Sequence, residues 1–104
     1  MKVLLIVNAA ASSVTPRRQV AVYRLASAAH DVRMVETRHR GHATALAKDA
    51  ADDGVDVVMV FGGDGTLNEA ANGLVGSNVA VAPLPGGSTN VFARTLGLAD
   101  HPVD

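Results

Sequence analysis

Short apolar runs alternate along this chain with stretches of helical period. Residues 3–7 (VLLIV), 32–36 (VRMVE), 55–61 (VDVVMVF) and 79–82 (VAVA) read as four strands. The third run is almost entirely β-branched or large and apolar, the pattern of a strand covered on both faces. Between the runs lie amphipathic segments. Thr15 followed by Pro16 is a helix start, with the proline at the first helical position. After it Val22, Leu25, Ala26 and Ala29 recur at i, i+3, i+4 and i+7, with Arg17 and Arg24 on the opposite side. Ala43, Leu46, Ala47 and Ala50 form a second stripe, and Leu67, Ala70, Ala71 and Leu74 a third. The third helix is expected to open on a capping box, Thr66-x-x-Glu69. A last short helix is expected over 90–96, stopped by Gly97. Strand–helix alternation at this spacing predicts a Rossmann-like three-layer α/β domain, a parallel sheet with right-handed crossovers and helices on both faces.

Composition narrows the picture. The chain has 104 residues, enough for one domain with a modest core. Almost half of it is apolar, yet Tyr23, Phe61 and Phe92 are its only aromatics. The core must therefore be built from Val, Leu, Ile and Ala. A formal net charge of −1 lacks the basic excess of a dedicated nucleic-acid binder. With no cysteine there is neither a disulfide framework nor thiolate chemistry. The apolar run at residues 1–7 is too short to span a membrane, and no signal-type cleavage site follows it. The expectation is a cytoplasmic domain.

Candidate chemistry concentrates after the third strand, in Phe61-Gly62-Gly63-Asp64-Gly65-Thr66-Leu67-Asn68-Glu69. Three glycines in four residues let the backbone take positive φ and approach a ligand closely. The following helix start offers unpaired N–H groups and the positive end of its dipole. Together these make an anion cradle at the carboxyl end of a parallel strand. Asp64 is out of place in such a cradle unless it acts. It either deprotonates an acceptor hydroxyl or meets phosphates through a cation, or else it is a turn aspartate held by backbone hydrogen bonds. A second glycine-rich turn, Pro83-Leu84-Pro85-Gly86-Gly87-Ser88-Thr89-Asn90, would face the same edge of the sheet. The Walker motif G-x-x-x-x-G-K-[ST] is absent, and the dinucleotide motif G-x-G-x-x-G fails at Asn68. His39 and His42 lie three apart, but without cysteine they are a poor zinc site, and His42 is expected to pack or cap at the second helix start.

GGDGTLNE, followed by PGGSTNVFARTLGL, resembles the catalytic domain of diacylglycerol and sphingosine kinases. Asn8 stands where that family has its Asn-Pro pair, and Thr37-Arg38-His39-Arg40-Gly41-His42-Ala43 is similar to its T-x-x-x-G-H-A segment. The resemblance implies an N-terminal nucleotide-binding domain like that of phosphofructokinases and NAD kinases. It implies transfer of the ATP γ-phosphate to a lipid hydroxyl, with Mg²⁺. Gly62, Gly63, Gly65 and Thr66 become phosphate contacts and Asp64 the activator of the hydroxyl. Asn8, Thr37 and Arg40 help bind nucleotide, and Gly87, Ser88, Thr89 and Asn90 match the second loop of the cleft. No residue of this chain is assigned to a metal. Ala9 departs from the family proline, and the loop after it lacks the Ser-Gly pair and basic residue. Arg18, turned away from Arg17 and Arg24, is the expected substitute. Family members continue into a β-rich domain that binds the lipid. This chain is therefore expected to be an isolated N-terminal domain, inactive alone, prone to self-association and part of a protein peripheral to the inner membrane face. The alternatives are an NAD kinase-type enzyme, against which the Thr-Asn-Val-Phe-Ala-Arg run speaks, and a non-catalytic nucleotide-binding module.

Overall fold

The computed structural model describes residues 1–11 and 14–84. Its elements follow one another as β1 (Lys2–Val7), α1 (Pro16–Ser27), β2 (Asp31–Glu36), α2 (His42–Asp52), β3 (Val57–Phe61), α3 (Asp64–Gly73) and β4 (Ala80–Leu84). The four strands form one sheet in the order β2-β1-β3-β4, and every pairing is parallel. The three-layer α/β architecture expected from the sequence is the one found.

Side-chain alternation along the two central strands explains the layers. Val3, Leu5 and Val7 of β1, with Met59 and Phe61 of β3, face α1 through Val22 and Ala26. Leu4, Ile6, Val58 and Val60 face the other way, onto Ala43, Ala47 and Ala50 of α2 and Ala70 of α3. Small alanines let these helices lie close. At Gly73 an added Cβ would collide with the Thr44 carbonyl oxygen and stand 3.0 Å from Ala47 Cβ.

The strand ends matter most for function. Val7 is in register with Glu36 on one side and Phe61 on the other, and Phe61 with Leu84. The segments that follow β1, β2 and β3 therefore leave from one edge. The chain runs outward from β1 to β2, then returns across β1 to β3. Strand order thus reverses between β1 and β3, where open α/β sheets bind ligands.

Several expectations are corrected. α3 begins at Asp64 with Gly63 as its cap, so Thr66 is the third helical residue and the capping box does not form. β3 starts at Val57 rather than 55, because Asp56 turns aside to bind β1, its carboxylate accepting from the Lys2 N–H at 2.8 Å. β4 runs on through Pro83, which the last strand of the sheet among the described residues tolerates because its missing N–H can sit on the side away from β3. α1 ends at Ser27, and the N–H groups of Ala29 and His30 both turn back to the Ala26 carbonyl, which leaves Ala29 exposed. Arg17, Arg18 and Arg24 are all exposed, so Arg18 does not turn away from solvent. The helix expected over 90–96 lies outside the described residues.

Candidate active site

β1 ends on Asn8, whose N–H donates to the Phe61 carbonyl at 2.8 Å and extends the ladder by one rung. Its side-chain oxygen accepts from the Ala10 N–H at 3.1 Å, an Asx turn that leads the chain off the sheet. Its Nδ2 donates to Thr66 Oγ1 at 3.1 Å. Asn8 therefore ties the end of β1 to the first turn of α3. Gly62 makes this approach possible, since a Cβ there would lie 2.8 Å from Asn8 Cβ.

Two residues later the helix opens with no side-chain cap. The N–H groups of residues 64–66 have no intrahelical partner and lie at the positive end of the helix dipole. None of Gly62, Gly63 and Gly65 has a positive φ, which corrects the expectation that these glycines serve a left-handed turn. Gly63 has φ −86° and ψ 177°, open to any residue, and an added Cβ at Gly63 or Gly65 would meet nothing within 4 Å. Packing among the described residues gives no reason for glycine at either position. Asp64 stands exposed in the first helical turn, and no hydrogen bond holds its carboxylate among the described residues. The backbone hydrogen bonds required of a turn aspartate are missing there.

The opposite wall follows β2. The Thr37 N–H donates to the Val7 carbonyl at 2.8 Å, and its hydroxyl leans on the same oxygen at 3.4 Å. Beyond it the Arg38 N–H donates to His42 Nδ1 at 2.9 Å, and His39 Nδ1 donates to the Arg40 carbonyl at 2.9 Å. The rings of His39 and His42 stack with centroids 4.7 Å apart and 14° between planes. His42 thus packs at the start of α2 and fastens the loop before it, while α2 itself has no side-chain cap. Gly41, at φ 84°, caps α2 and donates its N–H to Glu69 Oε1 at 3.1 Å. Thr44 Oγ1 donates to the Glu69 carbonyl at 2.8 Å. Glu69 therefore holds the loop of residues 37–41 against α3.

Between the walls lies an open cleft of about 530 Å³. Of the residues singled out in the sequence, Asn8, Thr37, Arg40, Gly63, Gly65 and Thr66 line it. Gly62 and Asp64 do not, the first packing against Asn8 and the second standing exposed in the first helical turn. Gly87, Ser88, Thr89 and Asn90 lie outside the described residues. The cleft also takes in Glu36, Arg38, His39 and Glu69, which the sequence reading did not assign to a site. Placing Glu36 and Arg38 on either side of Thr37 was signal enough to find them. Glu69 needed the fold, because its partner is 28 residues away. Among the described residues no group of three or more His, Cys, Asp or Glu could hold a metal ion.

Comparison with known proteins places the chain in a family. Residues 2–104 match the diacylglycerol kinase catalytic domain. A protein of Chromohalobacter salexigens named "Probable lipid kinase YegS-like" is 36% identical over 97 residues, covering 89% of this chain and 31% of the relative. A diacylglycerol kinase of Bacillus subtilis is 45% identical over 60 residues, 56% of this chain and 20% of that one. The crystal structure of a diacylglycerol kinase from Bacillus anthracis superposes with a TM-score of 0.72 at 37% identity, over 95% of this chain and 39% of that chain. The chain spans about a third of the length of the YegS-like relatives it matches.

Proposed function

The chain belongs to the diacylglycerol kinase catalytic domain family, and on that premise we propose that it is the ATP-binding part of a lipid kinase. One observation carries the reading. At the sheet's reversal point a helix start without a side-chain cap lies beside two glycines whose missing side chains nothing among the described residues replaces. Triphosphate oxygens would fill that space and accept from the N–H groups of residues 64–66. Arg38 and Arg40, both exposed on the facing wall, would offset the remaining charge.

Mg²⁺ fits this arrangement. It is usually held by one or two carboxylates together with substrate phosphates, and an Asp64 carboxylate not engaged as the base would be one protein oxygen for it beside the proposed phosphate site. When bound, the ion would neutralise charge developing on the phosphates. As general base Asp64 takes the proton of the lipid hydroxyl. The hydroxyl oxygen then bonds to the γ-phosphorus while the bond to the β–γ bridging oxygen breaks, and ADP leaves. The lipid pocket belongs to a further β-rich domain of the full-length protein. This part alone would therefore bind nucleotide without turning over, and the whole would work from the cytoplasm on the inner membrane face. Among the described residues no helix is long and apolar enough to cross a membrane.

The test is Asp64→Asn in the full-length protein, read by lipid phosphorylation, ATP affinity and melting temperature. Turnover should fall by about 10²–10⁴-fold, the worth of a positioned general base. ATP affinity should hold or tighten, because a negative charge near the phosphates is gone. An altered Mg²⁺ dependence would assign Asp64 to the cation instead. Near-normal turnover in a stable variant would end its catalytic role.

A further inference from the structure

Glu36 is the last residue of edge strand β2, exposed, and part of the cleft wall. Its carboxylate has no ion pair or hydrogen bond among the described residues, although Arg38 and Arg40 follow closely in the chain. A carboxylate facing an anion site weakens that site unless it has donors of its own to bind. The register shows where such donors would come from. Glu36, Val7 and Phe61 form one row across three adjacent strands. Neighbouring strands lie about 4.8 Å apart, so the Glu36 backbone stands about 10 Å from that of Phe61, which leads into the phosphate-binding turn. That offset is on the scale separating the sugar of a nucleotide from its outer phosphates. In dinucleotide-binding doubly wound sheets an acidic residue, there about 20 residues past the phosphate turn, serves this purpose by bonding the ribose 2′-hydroxyl.

We infer that Glu36 forms the ribose subsite of the cleft, its carboxylate accepting from the 2′- and 3′-hydroxyls of a ribonucleoside triphosphate. The inference rests on the reading of the α3 start as a phosphate cradle. Only a group with two vicinal O–H donors would use both carboxylate oxygens, so the subsite selects ribonucleotides over deoxynucleotides and over bare polyphosphate. Thr37, fixed on the Val7 carbonyl, keeps the end of β2 in register while the carboxylate does so.

The experiment is a calorimetric titration of the full-length protein with Mg·ATP, Mg·2′,3′-dideoxyATP and inorganic tripolyphosphate, on the wild type, Glu36→Ala and Glu36→Gln. Wild type should prefer ATP over the dideoxy analogue by about 10–100-fold, the worth of hydrogen bonds to a charged group. In Glu36→Ala that preference should shrink to less than about threefold, with dideoxyATP bound as well as before or better. Glu36→Gln, which keeps the side-chain volume, should fall between the two. An unchanged preference in either folded variant, or none in the wild type, overturns the inference. If the wild type still binds tripolyphosphate in that case, the phosphate cradle survives. If the wild type binds none of the three, the cradle fails and the inference goes with it.

Discussion

Replacing Gly63 with valine tests the cradle directly, because the structure separates its effect on folding from its effect on binding. At φ −86° and ψ 177° a valine sits in the ordinary extended region, and its Cβ would meet no atom within 4 Å. Losing a glycine restricts the unfolded chain, a gain of about 0.4–1 kcal/mol. Valine is a poorer helix cap than glycine, a loss on the order of 1 kcal/mol. The two nearly cancel, so the melting temperature should move by less than about 8 °C. Binding has no such compensation. The new side chain occupies the space above the N–H groups of residues 64–66, and losing two hydrogen bonds to phosphate oxygens removes about 3–6 kcal/mol. ATP affinity should therefore drop by more than about 100-fold. Melting the full-length protein with and without Mg·ATP reads both quantities. Nucleotide at 100 times its Kd should stabilise the wild type by about 2.7 kcal/mol and leave the variant unmoved. A folded Gly63→Val protein that binds ATP within about threefold of wild type would refute the cradle. Gly62 supplies the contrast, since a Cβ there meets Asn8 Cβ at 2.8 Å and the damage would fall on the fold itself.

Two further substitutions probe what holds the cleft in shape. Gly73→Ala gains about 0.5–1 kcal/mol of helix propensity but drives a methyl into the Thr44 carbonyl and Ala47. Overpacking of about 1–3 kcal/mol should win and lower the melting temperature, and a rise would mean that α2 and α3 separate easily. Thr66→Val keeps the shape of a buried side chain and removes the acceptor of Asn8 Nδ2, so it should destabilise the protein by about 1 kcal/mol and weaken ATP binding. Unchanged melting would show that the Asn8 link contributes nothing.

The strands and helices were legible because central parallel strands are apolar on both faces and their covering helices carry alanine stripes. What failed was local reasoning at positions with distant partners. Thr66 and Glu69 have the spacing of a reciprocal cap, but Asn8 lies 58 residues from Thr66 and Gly41 lies 28 from Glu69. These partners take both side chains, and the helix starts three residues early on a bare glycine cap. Pro83 read as a turn because nothing local says that β4 pairs on one side only among the described residues. Asp56 left the third strand because it found the Lys2 backbone, a contact across 54 residues.

Those failures explain why Gly62 to Glu69 acts as one unit rather than as a glycine turn followed by a helix. Gly62 admits Asn8, Gly63 and Gly65 leave space, and residues 64–66 present N–H groups into it. Thr66 and Glu69, three apart, share one helix face. That face is turned to the rest of the cleft, one residue anchoring the end of β1 and the other the cap of α2. The loop of residues 37–41 is thereby fixed to the same helix turns that we propose as the anion cradle. A shift of α3 by even a fraction of a turn would move Arg38 and Arg40 together with the N–H groups of residues 64–66. Both walls of the cleft are therefore positioned by one short helix, and the spacing of its polar residues is set by the two contacts it must make as much as by the ligand.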